Sequence, residues 1–132
     1  MVNEARLIRD LKHEYCYAID GGRYAVWSEL FTEDGRFVRA NGDVYEGHDE
    51  LYGFAADGFD DLFARSAHVV TNPVIDVANG EATGQWYLLL WGETPDGDVT
   101  VTQAKYEDRF ERVDGEWRIA EVNVRGGIEL SV

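Results

Sequence analysis

Asp20 and His68 are the two residues of this chain whose types could do chemistry together. A carboxylate that accepts one imidazole N–H fixes the tautomer of the ring and leaves its other nitrogen free to take a proton, which makes a general base. His68 lies in Ala67-His68-Val69-Val70-Thr71-Asn72-Pro73, a run that reads as a strand, and Asp20 closes a helix ahead of Gly21-Gly22. Each residue also has an ordinary reading. A lone strand histidine is commonly a satisfied core or surface residue, and Asp before Gly-Gly is normal helix-end chemistry. A carboxylate is nevertheless poorly placed at a helix C-terminus, where the macrodipole is negative, and a protonatable histidine would compensate it.

Further candidates surround this pair. Tyr15 lies on the apolar face of the same helix, about 140° around an ideal axis from Asp20, so the two would reach one cavity from different sides; the plain alternative is a core tyrosine. Tyr17 and Cys16 lie closer to the Asp20 face, Tyr17 as an aromatic for a substrate and Cys16 most simply as a small buried residue. Asn72 shares the expected strand face of His68 and would hydrogen-bond a substrate, or else shape a bulge before Pro73. Trp91 is the sheet aromatic expected near substrate, and Arg125, near the end of the last strand, would hold a leaving group or carbonyl unless it is an exposed strand-end arginine. His13, His48 and His68 fall in three different elements without metal-ligand spacing, and no phosphate loop, nucleotide fingerprint, calcium loop or nucleophilic-serine elbow is present. Neither metal nor cofactor is expected.

The elements that must position these groups follow from periodicity and turn residues. Leu7, Ile8, Leu11, Tyr15, Ala18 and Ile19 have helical spacing, and Tyr24, Trp27, Leu30 and Phe31 mark a second helix. Thr32-Glu33-Asp34-Gly35 reads as a turn into a strand over 36–40, and Asn41-Gly42 as a hairpin turn into 43–46. A third helix starts near Gly47 and carries Leu51, Phe54 and Ala55, with Gly58 in its later part. Four strands, about 66–77, 81–93, 98–112 and 116–130, are separated by Asn79-Gly80, Asp96-Gly97 and Asp114-Gly115. Helices first and a meander of strands afterwards predict an α+β domain, one domain over 1–132, whose curved antiparallel sheet wraps the N-terminal helices and leaves a cavity on its concave side. The run Trp86-Tyr87-Leu88-Leu89-Leu90-Trp91 does not alternate, which predicts burial on both faces, one against the helices and one against a second subunit or a thick core.

Composition narrows the partners. With 132 residues, 45% hydrophobic and 13% aromatic, the chain suits one globular domain, and no apolar run approaches the roughly 20 residues of a membrane span. A net charge of −14 opposes binding to nucleic acid or an anionic membrane. Among the basic residues only Lys12 and Lys105 are lysines, and such a Lys-poor acidic surface resembles that of proteins adapted to high salt, or is simply that of an acidic protein. The opening residues lack a signal-peptide pattern and Cys16 is the lone cysteine, so a cytoplasmic location is expected.

Several segments carry a family resemblance: Tyr15-Cys16-Tyr17-Ala18-Ile19-Asp20, Leu30-Phe31-Thr32-Glu33-Asp34-Gly35, Tyr45-Glu46-Gly47, His68-Val69-Val70-Thr71-Asn72-Pro73, and Tyr106 through Ile119. In these the chain resembles the SnoaL-like branch of the nuclear-transport-factor-2-like superfamily, a cystatin-like cone of three helices and a curved sheet. It looks most similar to the scytalone dehydratase, bile-acid dehydratase and hexachlorocyclohexane dehydrochlorinase branch. The resemblance implies an elimination reaction, with His68 as base, Asp20 orienting it, and Tyr15 at a position that holds Tyr in the bile-acid enzymes and Lys in the dehydrochlorinase. Where that branch carries a second His or an Asp to assist the leaving group, this chain has Trp91 or Gly92. The reading is therefore a small-molecule lyase acting on a hydrophobic, possibly cyclic substrate. The alternatives are a ketosteroid-isomerase-like proton transfer, marked by paired phenols or a protonated acid, and a non-catalytic binding or dimerisation module.

Overall fold

The computed structural model describes residues 3–131; Met1, Val2 and Val132, which the expected domain includes, lie outside the described residues. Helix α1 (Glu4–Asp20) is capped by the Asn3 side chain, which accepts the Arg6 N–H at 3.1 Å, and it buries Ile8, Leu11, Tyr15, Ala18 and Ile19 along one stripe. Lys12 lies in the middle of that stripe and is fully buried. Gly22, at φ 72°, takes the chain out of the helix in a conformation that favours glycine.

Helix α2 (Tyr24–Glu29) stops before its expected end because strand β1 (Phe31–Val38) starts at once, with Phe31 in register with Ile119. The expected turn at Thr32 to Gly35 is instead a bulge within β1: after Phe31 opposite Ile119, the next pair is Arg36 opposite Glu121. A Cβ on Gly35 would lie 2.7 Å from the Phe31 Cβ, so the bulge closes only around glycine. Strand β2 (Val44–Glu46) returns through Asn41-Gly42, and helix α3 (His48–Gly53) is moored by a 2.9 Å contact between His48 Nε2 and the Phe31 carbonyl.

Helix α3 continues as a π-helical turn (Phe54–Phe59) into the short α4 (Asp60–Leu62). Five residues along an α-helix turn a side chain by about 140° from its starting face. The wider π turn instead keeps both Phe54 and Phe59 buried, at 8% and 7% exposure.

Strands β3 (Arg65–Ala78), β4 (Glu81–Glu93), β5 (Val99–Val113) and β6 (Glu116–Ser131) form consecutive hairpins, and the sheet order is β2-β1-β6-β5-β4-β3. The α+β class and the curved sheet around the N-terminal helices are as expected. The sheet differs in one seam, since β1 runs parallel to β6 while the other pairs are antiparallel. Along β4 the apolar run alternates after all: Trp86 and Leu88 point into the core, while Tyr87, Leu89 and Trp91 lie 53%, 37% and 48% exposed on the convex face. Within the chain that run is therefore buried on one face. No helix among the described residues is long and apolar enough to cross a membrane.

Candidate active site

Asp20, the last residue of α1, meets the start of β3. Its carboxylate accepts three hydrogen bonds: from the Ser66 hydroxyl at 2.8 Å, from the His68 backbone N–H at 2.7 Å and from His68 Nδ1 at 2.6 Å. Those donors answer the unfavourable end of the helix dipole. Burial alone would raise the Asp20 pKa, but the bonds from the His68 ring and backbone and from Ser66 hold it below the ordinary carboxylate value. With Nδ1–H given to Asp20, Nε2 is the nitrogen left free on a ring that lines a cavity.

That cavity has a volume of about 350 Å³ and lies between the helices and the concave face of the sheet. Phe54, Phe59, Leu62 and Phe63 close it from the segment after α3, Trp27 and Phe37 from α2 and β1, and Leu88 and Leu90 from β4. The Phe59 ring lies 5.7 Å from the His68 ring and 5.2 Å from Phe63, packing the imidazole from one side. His68, Leu90, Thr102 and Glu129 are register partners across β3 to β6 and all face the cavity. This rung carries the imidazole at one end and, at the rim, a Thr102 hydroxyl 3.4 Å from the Glu129 carboxylate. Arg39 and Asn41 complete the polar rim.

A second polar group lies deeper. Tyr15 from α1 and Tyr106 from β5 both line the cavity, with ring centroids 5.9 Å apart and near-perpendicular planes. Burial pushes both phenols well above their ordinary pKa, so each is a protonated hydrogen-bond donor at any working pH. Behind them Lys12 Nζ approaches Asp108 Oδ2 at 2.8 Å, and both side chains are fully buried. No hydrogen bond of good alignment reaches the ammonium; its other neighbours are the faces of Tyr106 at 3.5 Å and Tyr15 at 3.8 Å. Burial pushes the Asp108 carboxyl up to about 6 against the opposing pull of Lys12. Burial likewise pushes the Cys16 thiol to about 11, which leaves it a protonated core group rather than a nucleophile.

The structure thus places His68 and Tyr15 on one cavity, while Asp20, about 140° away around α1, lies outside its lining and reaches β3 to hold His68. The four expected substrate-binding residues lie elsewhere. Tyr17 is 74% exposed, away from the cavity. Trp91 points out from the convex face, and Gly92 beside it packs against the Phe63 ring. Arg125 is an exposed strand residue 3.4 Å from Glu107. Asn72 adopts φ 58° in a β3 bulge, where Thr71 pairs with Tyr87 and Val74 with Gln85. The extra residue reverses side-chain parity, so Ser66, His68 and Val70 face inward while Asn72 does not. Sequence reasoning missed Tyr106, Trp27 and Ser66 as site residues. Period-two spacing held the signal for two of them: Ser66 lies two positions before His68, and Tyr106 two before Asp108 and four before Phe110 on the buried face of β5. No cluster of metal-ligating side chains occurs among the described residues.

The chain is similar to known proteins in sequence and in fold. The sequence model of the SnoaL-like domain matches residues 2–123. A comparison with curated proteins finds no match. Among solved structures, a Mycobacterium tuberculosis protein of unknown function is 30% identical, with 94% of this chain and 76% of that one covered at a TM-score of 0.84. A Novosphingobium aromaticivorans protein assigned as a scytalone dehydratase is 22% identical, covering 98% and 87% at a TM-score of 0.89. A hexachlorocyclohexane dehydrochlorinase is 18% identical, covering 96% and 87% at 0.88.

Proposed function

The chain belongs to the SnoaL-like domain family of the nuclear-transport-factor-2-like superfamily, and from that premise we propose that it is a small-molecule lyase using His68 as general base. In the proposed step His68 Nε2 takes a proton from carbon, the C–H electrons form the double bond, and the neighbouring leaving group departs with its own bonding pair. Asp20 holds the imidazole and stabilises its cation, and Tyr15 donates a hydrogen bond to the oxygen that gains charge. The observation that carries this reading is the 2.6 Å contact between Asp20 Oδ1 and His68 Nδ1, with the His68 ring at the wall of the cavity. Its volume is at the small end of ligand cavities, about 300–1,000 Å³, and its walls are largely apolar, with aromatic rings from helices and sheet among them, which suits a compact hydrophobic ring compound.

A second reading has its own support. Tyr15 and Tyr106 are paired phenols, the mark of an isomerase that moves a proton without losing a group. Small cyclic β-hydroxy and β-halo ketones, with β,γ-unsaturated ketones beside them, incubated in D₂O and followed by NMR, test both. Loss of water or halide that disappears in His68→Ala supports the lyase. A His68-dependent shift of the double bond with deuterium uptake supports the isomerase. Turnover unchanged in His68→Ala overturns the base in either.

The convex row Tyr87, Leu89 and Trp91 supports one further proposal, that a second copy of the chain packs there. Sedimentation at micromolar concentration tests it.

A further inference from the structure

Arg39 stands one residue beyond β1, on the same phase of the strand as Gly35 and Phe37, and Phe37 is buried in the core. An arginine on the inward phase breaks the pattern of its own strand, and the proton-transfer step does not use it. Its guanidinium lies over the Phe54 ring, 5.8 Å from the centroid, and lines the cavity at its rim. The backbone is held at the Asn41-Gly42 turn, where Arg39 N–H donates to the Asp43 carbonyl and Gly42 N–H to the Arg39 carbonyl, both at 2.9 Å. The side chain is far less committed. Among the described residues its one ion pair is with Asp43, and at 3.8 Å that contact is longer than a hydrogen bond. The Asp43 carboxylate instead accepts from the Asn41 side chain at 3.2 Å. Arg39 is thus the one permanent cation lining the cavity among the described residues, held in place but without a close acceptor.

We propose that Arg39 is a specificity-determining residue that receives a carboxylate of the ligand, so that the cavity takes a compact ring acid. The ring lies between the apolar walls, the carboxylate on the guanidinium at the rim, and the reacting carbon at His68. The inference rests on the reading proposed above for His68 and adds the substrate class. A planar guanidinium offers parallel N–H groups that match the two oxygens of a carboxylate, and stacking on an aromatic face leaves it less freedom to lose on binding. A neutral ring compound would leave those donors to water. Glu129, the one carboxylate lining the cavity among the described residues, opposes the effect. It belongs to β6, lies 3.4 Å from the Thr102 hydroxyl, and forms no ion pair with Arg39 among the described residues. The rim therefore carries two separate charges of opposite sign, and an acid is placed on the β1 side. The chain's net charge of −14 repels anions at long range, so the preference comes from short-range hydrogen bonds to the guanidinium.

The test uses 2-naphthoate and its neutral isostere 2-naphthamide, with affinities for the whole protein measured by calorimetry. The wild type should bind the acid more tightly than the amide. Arg39→Gln should reduce that preference by about five- to tenfold, between the value of a solvent-screened ion pair and that of a buried hydrogen bond to a charged group. Its affinity for the amide should stay as in the wild type, which also reports that the variant is folded. Arg39→Lys keeps the charge without the planar fork and should recover only part of the preference. Glu129→Gln should strengthen binding of the acid and leave the amide unchanged. Equal affinity for the two probes in the wild type, failure of both to bind, or an unchanged preference in Arg39→Gln overturns the carboxylate subsite. Failure of the base reading is separate: His68→Ala would leave ketone deuterium exchange unchanged while the preference for 2-naphthoate persisted.

Discussion

The Asp20 carboxylate holds His68 at two points, Oδ2 on the backbone N–H at 2.7 Å and Oδ1 on ring Nδ1 at 2.6 Å. One side chain thus fixes both the strand position and the orientation of the imidazole, and α1 is tied to β3 through it.

That double contact has a pH signature. The Asp20 pKa is lowered in the folded state by its bonds to His68 and Ser66, although burial opposes them. Its contribution is therefore present above the ordinary carboxylate value and lost as pH falls through the lower folded value. Asp20→Asn should destabilise the protein by about 1–3 kcal/mol at neutral pH. Urea unfolding of both proteins should show the gap closing as the pH is lowered through the carboxylate range.

Asp108 should behave in the opposite sense. Its carboxyl is raised to about 6 from an ordinary 3.8, so between those values the native state keeps a proton that the unfolded chain has lost. This group's contribution to stability falls as pH rises across that window and is constant above it. Subtracting the unfolding profile of Lys12→Met/Asp108→Leu from that of the wild type should reveal the slope, and parallel profiles would remove it.

Phe59 packs between His68 and Phe63 in the π-helical turn. Phe59→Ala should cost about 3–5 kcal/mol, the range for emptying a buried aromatic site. Denaturant midpoints read the cost, and a ligand larger than the wild type accepts should then gain affinity.

At Asn72, φ is 58°. Asn72→Gly should be tolerated, because glycine adopts this conformation freely, whereas Asn72→Val should cost about 1–3 kcal/mol through backbone strain. Thermal unfolding of the two variants measures the difference.

Trp91 is 48% exposed on the convex face. If a second copy packs there, Trp91→Glu should shift the sedimentation of the chain toward the monomer, and an unchanged profile would exclude that surface.

Much of the architecture could be read from the sequence because it rests on local signals: helical spacing in α1, glycine turns between strands, and alternating strand faces. The site was legible only where such signals met. Asp20 stood out as a carboxylate at the wrong end of a helix, and His68 as a titratable group on a strand. Of the two readings of Asn72, the bulge before Pro73 is the one the fold shows, and nothing in the alternation before it announces that a one-residue bulge reverses parity there. The turn residues Thr32 to Gly35 became a bulge because β6, far along the chain, supplies a partner on both sides of them. Tyr17 and Trp91 carry apolar rings that composition places inside, but each sits on the outer phase of its own periodicity.

The parallel seam between β1 and β6 also sets the order in which the molecule can assemble. Phe31 waits for Ile119 and Arg36 for Glu121, so the β1–β2 hairpin joins the rest of the sheet only through β6, far along the chain. Contacts this distant in sequence slow the search for the native state. Strand β6 thus acts as the clasp that joins β1, a distant segment of the chain, to the meander of β3 to β6.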